Sequence, residues 1–522
     1  MSEIKDPVSQ DDTAPTKRSV RIQIPGIFGA PHVGAASLGA VGPQSPGIAG
    51  HTALRTVQQN DTLGWDTVFA VPVKNVNTAF AASRAYPESF DYTLNSPIIN
   101  VNIKGKFGAW ALTTGGSGGI VRMALPVSSG TFTPVGGQPI DMAGGKVTIS
   151  VNLVYVPQPQ IPENGTLNAL RFNTQSQSGL YPVTVLQVEL PASSDPAVLA
   201  TASAAFEAYL NQNLSAFTYV FNTINLNMVA DKESFQWLKP TYSSYAYYDA
   251  ASIDNAVFGV LCMVQDNEPG TAANQLGPMA IPPESQSGFS VSQPLFMKQM
   301  VLPGLPVAFG QNTTADDFKL LAIDTTIIAN KQLPTAPVKY GAINYYPKIE
   351  QFRLWIDADM VCIYSKVHCH ISAGIDAYYE ETCYLSLQLV TKEDGTSTLG
   401  YVEAAPPNQN HWVDIANWIV ITQVLIALLG AVISTIVGVL ATTTARIVAA
   451  CVIAVVMGAA AITASLVATI VGGGVADHLP SVEGLVIDMT NPVSWPDGTT
   501  FTPTLAQLNG TFQFGGNAFI TA

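Results

Sequence analysis

Two histidines, His368 and His370, lie two residues apart in the strand-like run "IYSKVHCHISAG". An extended backbone would turn both imidazoles to one face, a beginning for a zinc or iron site. Such a site also needs a third and fourth ligand and outer partners to orient them, and the spacing nominates none. Lys366 shares the face and would repel a cation. The pair is read as polar residues on a solvated strand face, with no metal and no cofactor expected. The run "TTGGSGGIV" resembles a phosphate-cradling loop only in its glycines: no lysine follows, and a hairpin connection is the simpler reading. Neither a GxSxG elbow, nor an HExxH helix, nor a cysteine with a paired histidine is present. Asp357 and Asp359 alternate along a strand as solvated carboxylates would. No catalytic residue is expected, and the chain is read as a non-enzyme.

The remaining chemistry is apolar. Trp237, Tyr242, Tyr245, Tyr247 and Tyr248 form an aromatic cluster whose amphipathic rings suit a lipid headgroup boundary or a sugar face. Packing within strands is the commoner use of such rings. From Ile415 to Gly474 the only charge is Arg446. Residues 415–445 and 447–476 are each uncharged and each long enough for a membrane span of about 20 residues. Gly430, Ser434 and Gly438 in the first arm, and Ala450, Ala454 and Gly458 in the second, recur at fourfold spacing that lets helices approach closely. The flanks carry Asp414 and Asp477 rather than basic residues, with Trp412 and Trp418 as interfacial anchors. The expectation is a helical hairpin turning near Thr442–Arg446 and packed on the fold, with conditional membrane insertion as its rival. In an inserted state Trp412, Trp418, Leu425, Leu428 and Ile433 are the membrane-contact candidates.

Elements to hold these features follow from the patterns around them. Residues 1–60 are rich in Gly, Pro, Ala, Ser and Gln and read as a flexible arm. A first lobe is expected over 61–230. It opens with a short strand and a helix starting at Val73, and contains "KVTISVNLVYV", where Val147, Ile149, Val151, Leu153 and Tyr155 alternate with Thr148, Ser150 and Asn152. Its long helix, 196–222, starts with an Asp195 cap and Pro196 in the first turn, and carries Leu199, Phe206, Leu210, Phe217 and Phe221 at helical spacing. A second lobe, 231–410, has strands and a helix over 292–302 that Pro303 stops. In it, a parity change near Ser365 predicts a bulge in a long bent strand. The apolar hairpin occupies 411–478, and a β-like tail over 479–522 returns to the body.

Composition narrows the partners. Charged residues are 11% of the 522, with 37 acidic against 23 basic side chains and a net charge of −14. Nucleic acid is excluded as a partner, because phosphate neutralisation needs clustered Lys and Arg. The polar N-terminus lacks the apolar core of a signal peptide. Five cysteines outside CxxC pairs read as reduced, buried thiols. Cytoplasmic synthesis is expected, with any release by a non-classical route.

Four stretches together carry a resemblance: "GWDTVFAVPVKNVNTAF", "FQWLKPTYSSYAYYDAASIDNAVFGVLCM", "GFSVSQPLFMKQMVLPGL" and "YYPKIEQFRLWID". In this order they resemble the OrfX-type and companion proteins encoded beside some clostridial botulinum neurotoxin genes, of the TULIP (tubular lipid-binding) superfamily, over roughly residues 63–522. The resemblance implies an elongated α+β fold in which strongly twisted antiparallel sheets wrap long helices and leave an apolar channel. It implies a non-enzymatic lipid-binding or toxin-accessory role, with lipid or another apolar ligand and toxin-complex proteins as partners. The ligand would lie between helix and sheet, lined by Leu199, Phe206, Leu210, Phe217, Phe296 and Met300, residues that plain core packing also explains. A membrane-inserting effector and a structural assembly partner are the alternatives. The glycine-rich arm and the length of the apolar run depart from the family pattern.

Overall fold

The structure is a computed structural model and describes residues 19–23, 59–97, 100–158, 166–175, 181–226, 233–310, 312–323, 325–441, 443–459, 462–471, 479 and 481–520. Of the expected N-terminal arm, residues 1–18 and 24–58 lie outside the described residues. The fold is α+β, and its described strands form three large antiparallel sheets and a small hairpin.

The ten-stranded sheet is built by alternation. In strand Lys146–Pro157, Val147, Ile149, Val151 and Leu153 are buried while Asn152 is exposed, as the period-two pattern requires. Helix Pro196–Gln212 covers this sheet, packing on strands Ser89–Asn95, Asn100–Phe107 and Val183–Glu189. Asp195 caps it by accepting from the Ala197 N–H at 2.8 Å. The helix expected to reach residue 222 ends ten residues earlier in number, at Gln212. The Asn213 side chain donates to the Tyr209 carbonyl at 2.8 Å and closes the last turn. Phe217 therefore follows a short 3₁₀ turn, and Phe221 sits in strand Val220–Leu226.

The six-stranded sheet runs Pro240–Tyr248, Val257–Val264, Thr67–Pro72, Ser287–Val291, Phe512–Gly516, Pro503–Leu508. Every residue of Val257–Val264 is buried, so this apolar run is covered on both faces. Gly288 is required here, because a Cβ would collide with the Ala280 carbonyl. The tail expected to be β-like begins instead with helix Val482–Thr490. Ser481 caps it by accepting from Gly484 N–H at 3.2 Å, which overrides the strand-like run of Val482, Val486 and Ile487.

The eight-stranded sheet contains the long strands Lys348–Asp357, Met360–Ser372, Ile375–Thr391 and Ser397–Ala416, with Ser19–Gln23 added at the Ser397–Ala416 edge. The bulge expected near Ser365 is absent: Val361–His370 pairs without interruption against Leu385–Asp376. The irregularity is on the neighbouring strand, between Ile349 and Gln351. Met360 and Cys362 broke the parity because they are buried on the second face of the sheet.

The helix expected to stop at Pro303 continues. Gln293–Phe296 widens into a π-helical turn at Met297–Val301, passes Pro303 as a 3₁₀ turn and ends at Phe309. The apolar run also differs from expectation. Helix Gln423–Leu440 leaves helical geometry at Ala441 (φ −57°, ψ 129°), and helix Thr443–Val456 packs on the Met297–Phe309 segment rather than back along the first arm. Among the described residues no side-by-side hairpin forms between the two arms. The reason lies at Gly304, where a Cβ would come within 3.2 Å of the Cys451–Val452 backbone. The second arm thus brings its Cys451–Val452 backbone against a glycine outside the run, while Gly430 and Gly438 face open space.

Candidate functional site

Strand Ser397–Ala416 leaves its sheet beside the Ser372–Ile375 turn, where the Ala416 N–H donates to the Gly374 carbonyl at 2.8 Å. Gly374 has φ +78°, and a Cβ there would lie 2.9 Å from the Trp418 ring. Only glycine lets the indole rest on this turn. The other side of Trp418 is open, and its residue is 71% exposed. Val420 (80%), Val424 (79%) and Leu428 (51%) continue the exposed apolar surface into the first turns of the Gln423–Leu440 helix. Val424 and Leu428 are one helical turn apart and share a face. Thr422 caps this helix by accepting from Leu425 N–H at 3.2 Å. Of the membrane-contact candidates, Trp418 and Leu428 lie on this surface, Leu425 is half-buried at its margin, and Ile433 is buried in the core. By length and composition Gln423–Val456 is apolar enough to cross a membrane, and only 33% of its most apolar window is buried. Exposed apolar patches of this kind mark surfaces that meet lipid or another protein.

Trp412 belongs to a different arrangement. His368, Tyr378 and Trp412 stand opposite one another on three adjacent strands, with ring centroids 4.9 Å and 5.2 Å apart and nearly parallel planes. Arg21 lies over the indole at 4.8 Å and reaches Asp414 at 3.2 Å, while Lys366 lies over Tyr378 at 5.2 Å. Both histidines point to one carboxylate oxygen, Asp376 Oδ1, at 3.0 Å from His368 Nε2 and 2.9 Å from His370 Nδ1. His368 Nδ1 faces Glu350 at 3.2 Å. Burial pushes the Asp376 carboxyl up, but hydrogen bonds and charge from His370 and His368 outweigh it and hold the group below its ordinary value. Among the described residues no group of three His, Cys, Asp or Glu side chains could hold a metal ion.

The expected lining residues lie deeper. Phe206 is fully buried, 5.1 Å from Phe90 and 6.0 Å from Phe107. Phe217 meets Trp110 and Phe172, each at 5.3 Å, and Phe296 meets Phe512 at 4.9 Å. Leu210 and Met300 are buried as well, and Leu199 is half-buried. In the tyrosine cluster, Tyr245 accepts from Leu153 N–H at 2.7 Å and Tyr247 donates to the Thr113 carbonyl at 3.0 Å, joining two sheets. A 470 Å³ open cleft elsewhere is lined by polar groups including Asn60, Asp61, Asp66 and Gln293, an unsuitable lining for an apolar ligand. All five cysteines are free and buried, and burial pushes the Cys262 and Cys362 thiols up to about 12.

Residue exposure was the signal that spacing could not carry: Val420 and Val424 read in the sequence like every other apolar residue of the run. Comparison with known proteins places the whole arrangement. Protein OrfX3 of Paraclostridium bifermentans is 24% identical over 499 residues, covering 88% of this chain and 98% of that protein. Protein OrfX3 of Clostridium botulinum (strain Kyoto / Type A2) is 26% identical over 422 residues, covering 73% of this chain and 84% of that protein. The structure of P47 from Clostridium botulinum A2 shares the fold with a TM-score of 0.58 at 19% identity, over 88% of this chain and 99% of P47. The OrfX-like family model, described as Protein OrfX2/OrfX3/P47, matches residues 62–516, and the chain belongs to that family.

Proposed function

We propose that this OrfX-like chain is a non-enzymatic, TULIP-type lipid-binding protein that acts as an accessory to a toxin complex and meets lipid through Trp418, Val420, Val424 and Leu428. The observation that carries this reading is the exposure of those four side chains within an uncharged run. Burying them in an acyl boundary removes apolar area from water, at about 25 cal/mol per Å². The net charge of −14 opposes an anionic bilayer, so a zwitterionic surface is the preferred one. Deeper insertion of Gln423–Val456 would have to pull Ile433, Ile436 and the Cys451 helix out of the core, so surface contact is the resting mode.

A second mode has the ligand between helix Pro196–Gln212 and its sheet. Its support is Leu199, which stays half-buried at the open end of the helix stripe. Entry in this mode begins there and parts Phe206 from Phe90.

Cosedimentation with phosphatidylcholine vesicles tests the surface mode. Wild type pellets with the vesicles, and a Trp418→Ser/Val424→Ser/Leu428→Ser variant stays in solution. Wild type remaining in solution at every vesicle composition overturns it. Lipid extraction of the purified protein followed by mass spectrometry reads the internal mode independently.

A further inference from the structure

The chain's own N-terminal strand covers an edge that suits another strand. Ser19–Gln23 pairs antiparallel with Trp412–Ala416 in the register Ser19↔Ala416, Arg21↔Asp414, Gln23↔Trp412. Its hold is shallow: Val20 is 41% exposed, and Ile22 is the one side chain of the five that is even half-buried. Residues 24–58 separate it from the body, and it precedes the family-matched region that starts at residue 62. The strand is therefore an addition to the shared fold, laid on an edge that the matched region itself supplies.

Over these five residues the edge has a single charge, Asp414, and neither proline nor bulge. Proteins blunt exposed sheet edges with charge, proline or bulges, because open N–H and C=O groups recruit other strands. Here the edge runs on for five residues without a register break; Val413 and Ile415 are buried on one face, and Asp414 and the Arg21-covered Trp412 lie on the other. We propose that Trp412–Ala416 is an acceptor site for an extended strand of a partner protein, and that Ser19–Gln23 is its removable cover. The resident strand defines what the site accepts. Val20 and Ile22 stand opposite Ile415 and Val413, so apolar, β-branched side chains belong at alternate positions. Between them a cation is needed, since Arg21 pairs with Asp414 at 3.2 Å and caps the Trp412 ring at 4.8 Å. Gln23 adds a hydrogen bond to Asn410 at 3.1 Å. On the same outer face Lys366 already answers Glu350 at 3.6 Å, which leaves Asp414 for the incoming cation, so the partner strand is apolar–basic–apolar. Main-chain hydrogen bonds supply affinity in such additions and the alternate side chains supply specificity.

A fluorescent peptide of residues 17–25 is the probe, titrated by anisotropy into the full-length protein. In an Arg21→Glu/Ile22→Asp variant the resident strand no longer competes, and the peptide binds. In wild type the tethered strand, at an effective concentration in the millimolar range, weakens that binding by about tenfold. A folded variant that fails to bind the peptide overturns the acceptor site, and equal binding by both proteins overturns the cover. A Ser19→Cys/Ala416→Cys protein tests both independently of the releasing variant. Oxidised, it excludes the peptide, and reduction restores wild-type binding. Equal binding in the two redox states overturns the proposal.

Discussion

Tyr378 and Trp412 face each other across neighbouring strands with ring centroids 5.2 Å apart and planes 12° from parallel. Two cations, Arg21 and Lys366, lie over this pair, and they bury the indole to 5% exposure on what is otherwise the outer face of the sheet.

Replacing that indole tests its weight. Trp412→Ala removes the stack and both cation contacts, and should cost about 3 kcal/mol, read as a lower urea midpoint at unchanged m-value. Trp412→Phe keeps a ring and removes an N–H that has no hydrogen-bond partner among the described residues. Its cost should stay below about 1.5 kcal/mol.

Asp376 gives the fold an acid-side dependence. Its folded-state value is lowered, so its contribution is present above the unfolded carboxyl value near pH 4 and is lost as pH falls through the folded one. Asp376→Asn should therefore be less stable than wild type at pH 6, and the difference should shrink steadily below about pH 4. Thermal melts of both proteins across pH 3–7 check this; a difference that grows on acidification contradicts it.

The apolar surface and the core beneath it should respond differently to one substitution. Val424→Asp and Leu428→Asp place a carboxylate in solvent and should shift stability by no more than about 0.5 kcal/mol. Ile433→Asp, at 2% exposure, buries an unpaired charge and should cost more than about 4 kcal/mol or abolish folding. Vesicle binding should fall in the first two while their melting temperatures hold.

The cysteines supply a chemical readout of the same packing. Burial raises Cys262 and Cys362 to about 12 and Cys369 to about 11, so thiolate is scarce at pH 8. A thiol reagent should label none of the five in the native protein within minutes and all five in denaturant, counted by intact mass.

Local patterns carried the reading of strands and caps further than they carried the assembly. The alternation in Lys146–Pro157 and the Asp195–Pro196 start are written in neighbouring residues, and the structure has both. The end at Gln212 was hidden because Phe217 and Phe221 keep helical spacing past a helix that Asn213 has already closed. The fourfold spacing of Ala450 and Ala454 announces a close approach without naming its partner; the helix packs on the Met297–Phe309 segment, with Gly304 against the Cys451–Val452 backbone. The cross-strand stack needs the register of three strands at once. Parity put His368 beside His370, but Asp376, Tyr378 and Trp412 come to them only through pairing across long strands.

One more consequence lies in the order of the six-stranded sheet. Thr67–Pro72 occupies its middle, flanked by Val257–Val264 and Ser287–Val291, and the latter waits for Phe512–Gly516. Asn60 and Asn75 likewise bond to Asn509 and Ile520. During synthesis Thr67–Pro72 thus gains its second neighbour only at residue 291, and the sheet stays unfinished until residue 516 has left the ribosome, a wait on the order of tens of seconds at ~5–20 residues per second. The apolar run from Trp418 to Val456 emerges inside that wait, ahead of the strands that finish the sheet. Folding is consequently late and dominated by distant contacts, and a nascent chain stalled before residue 512 presents its greasiest segment to chaperones and aggregation alike.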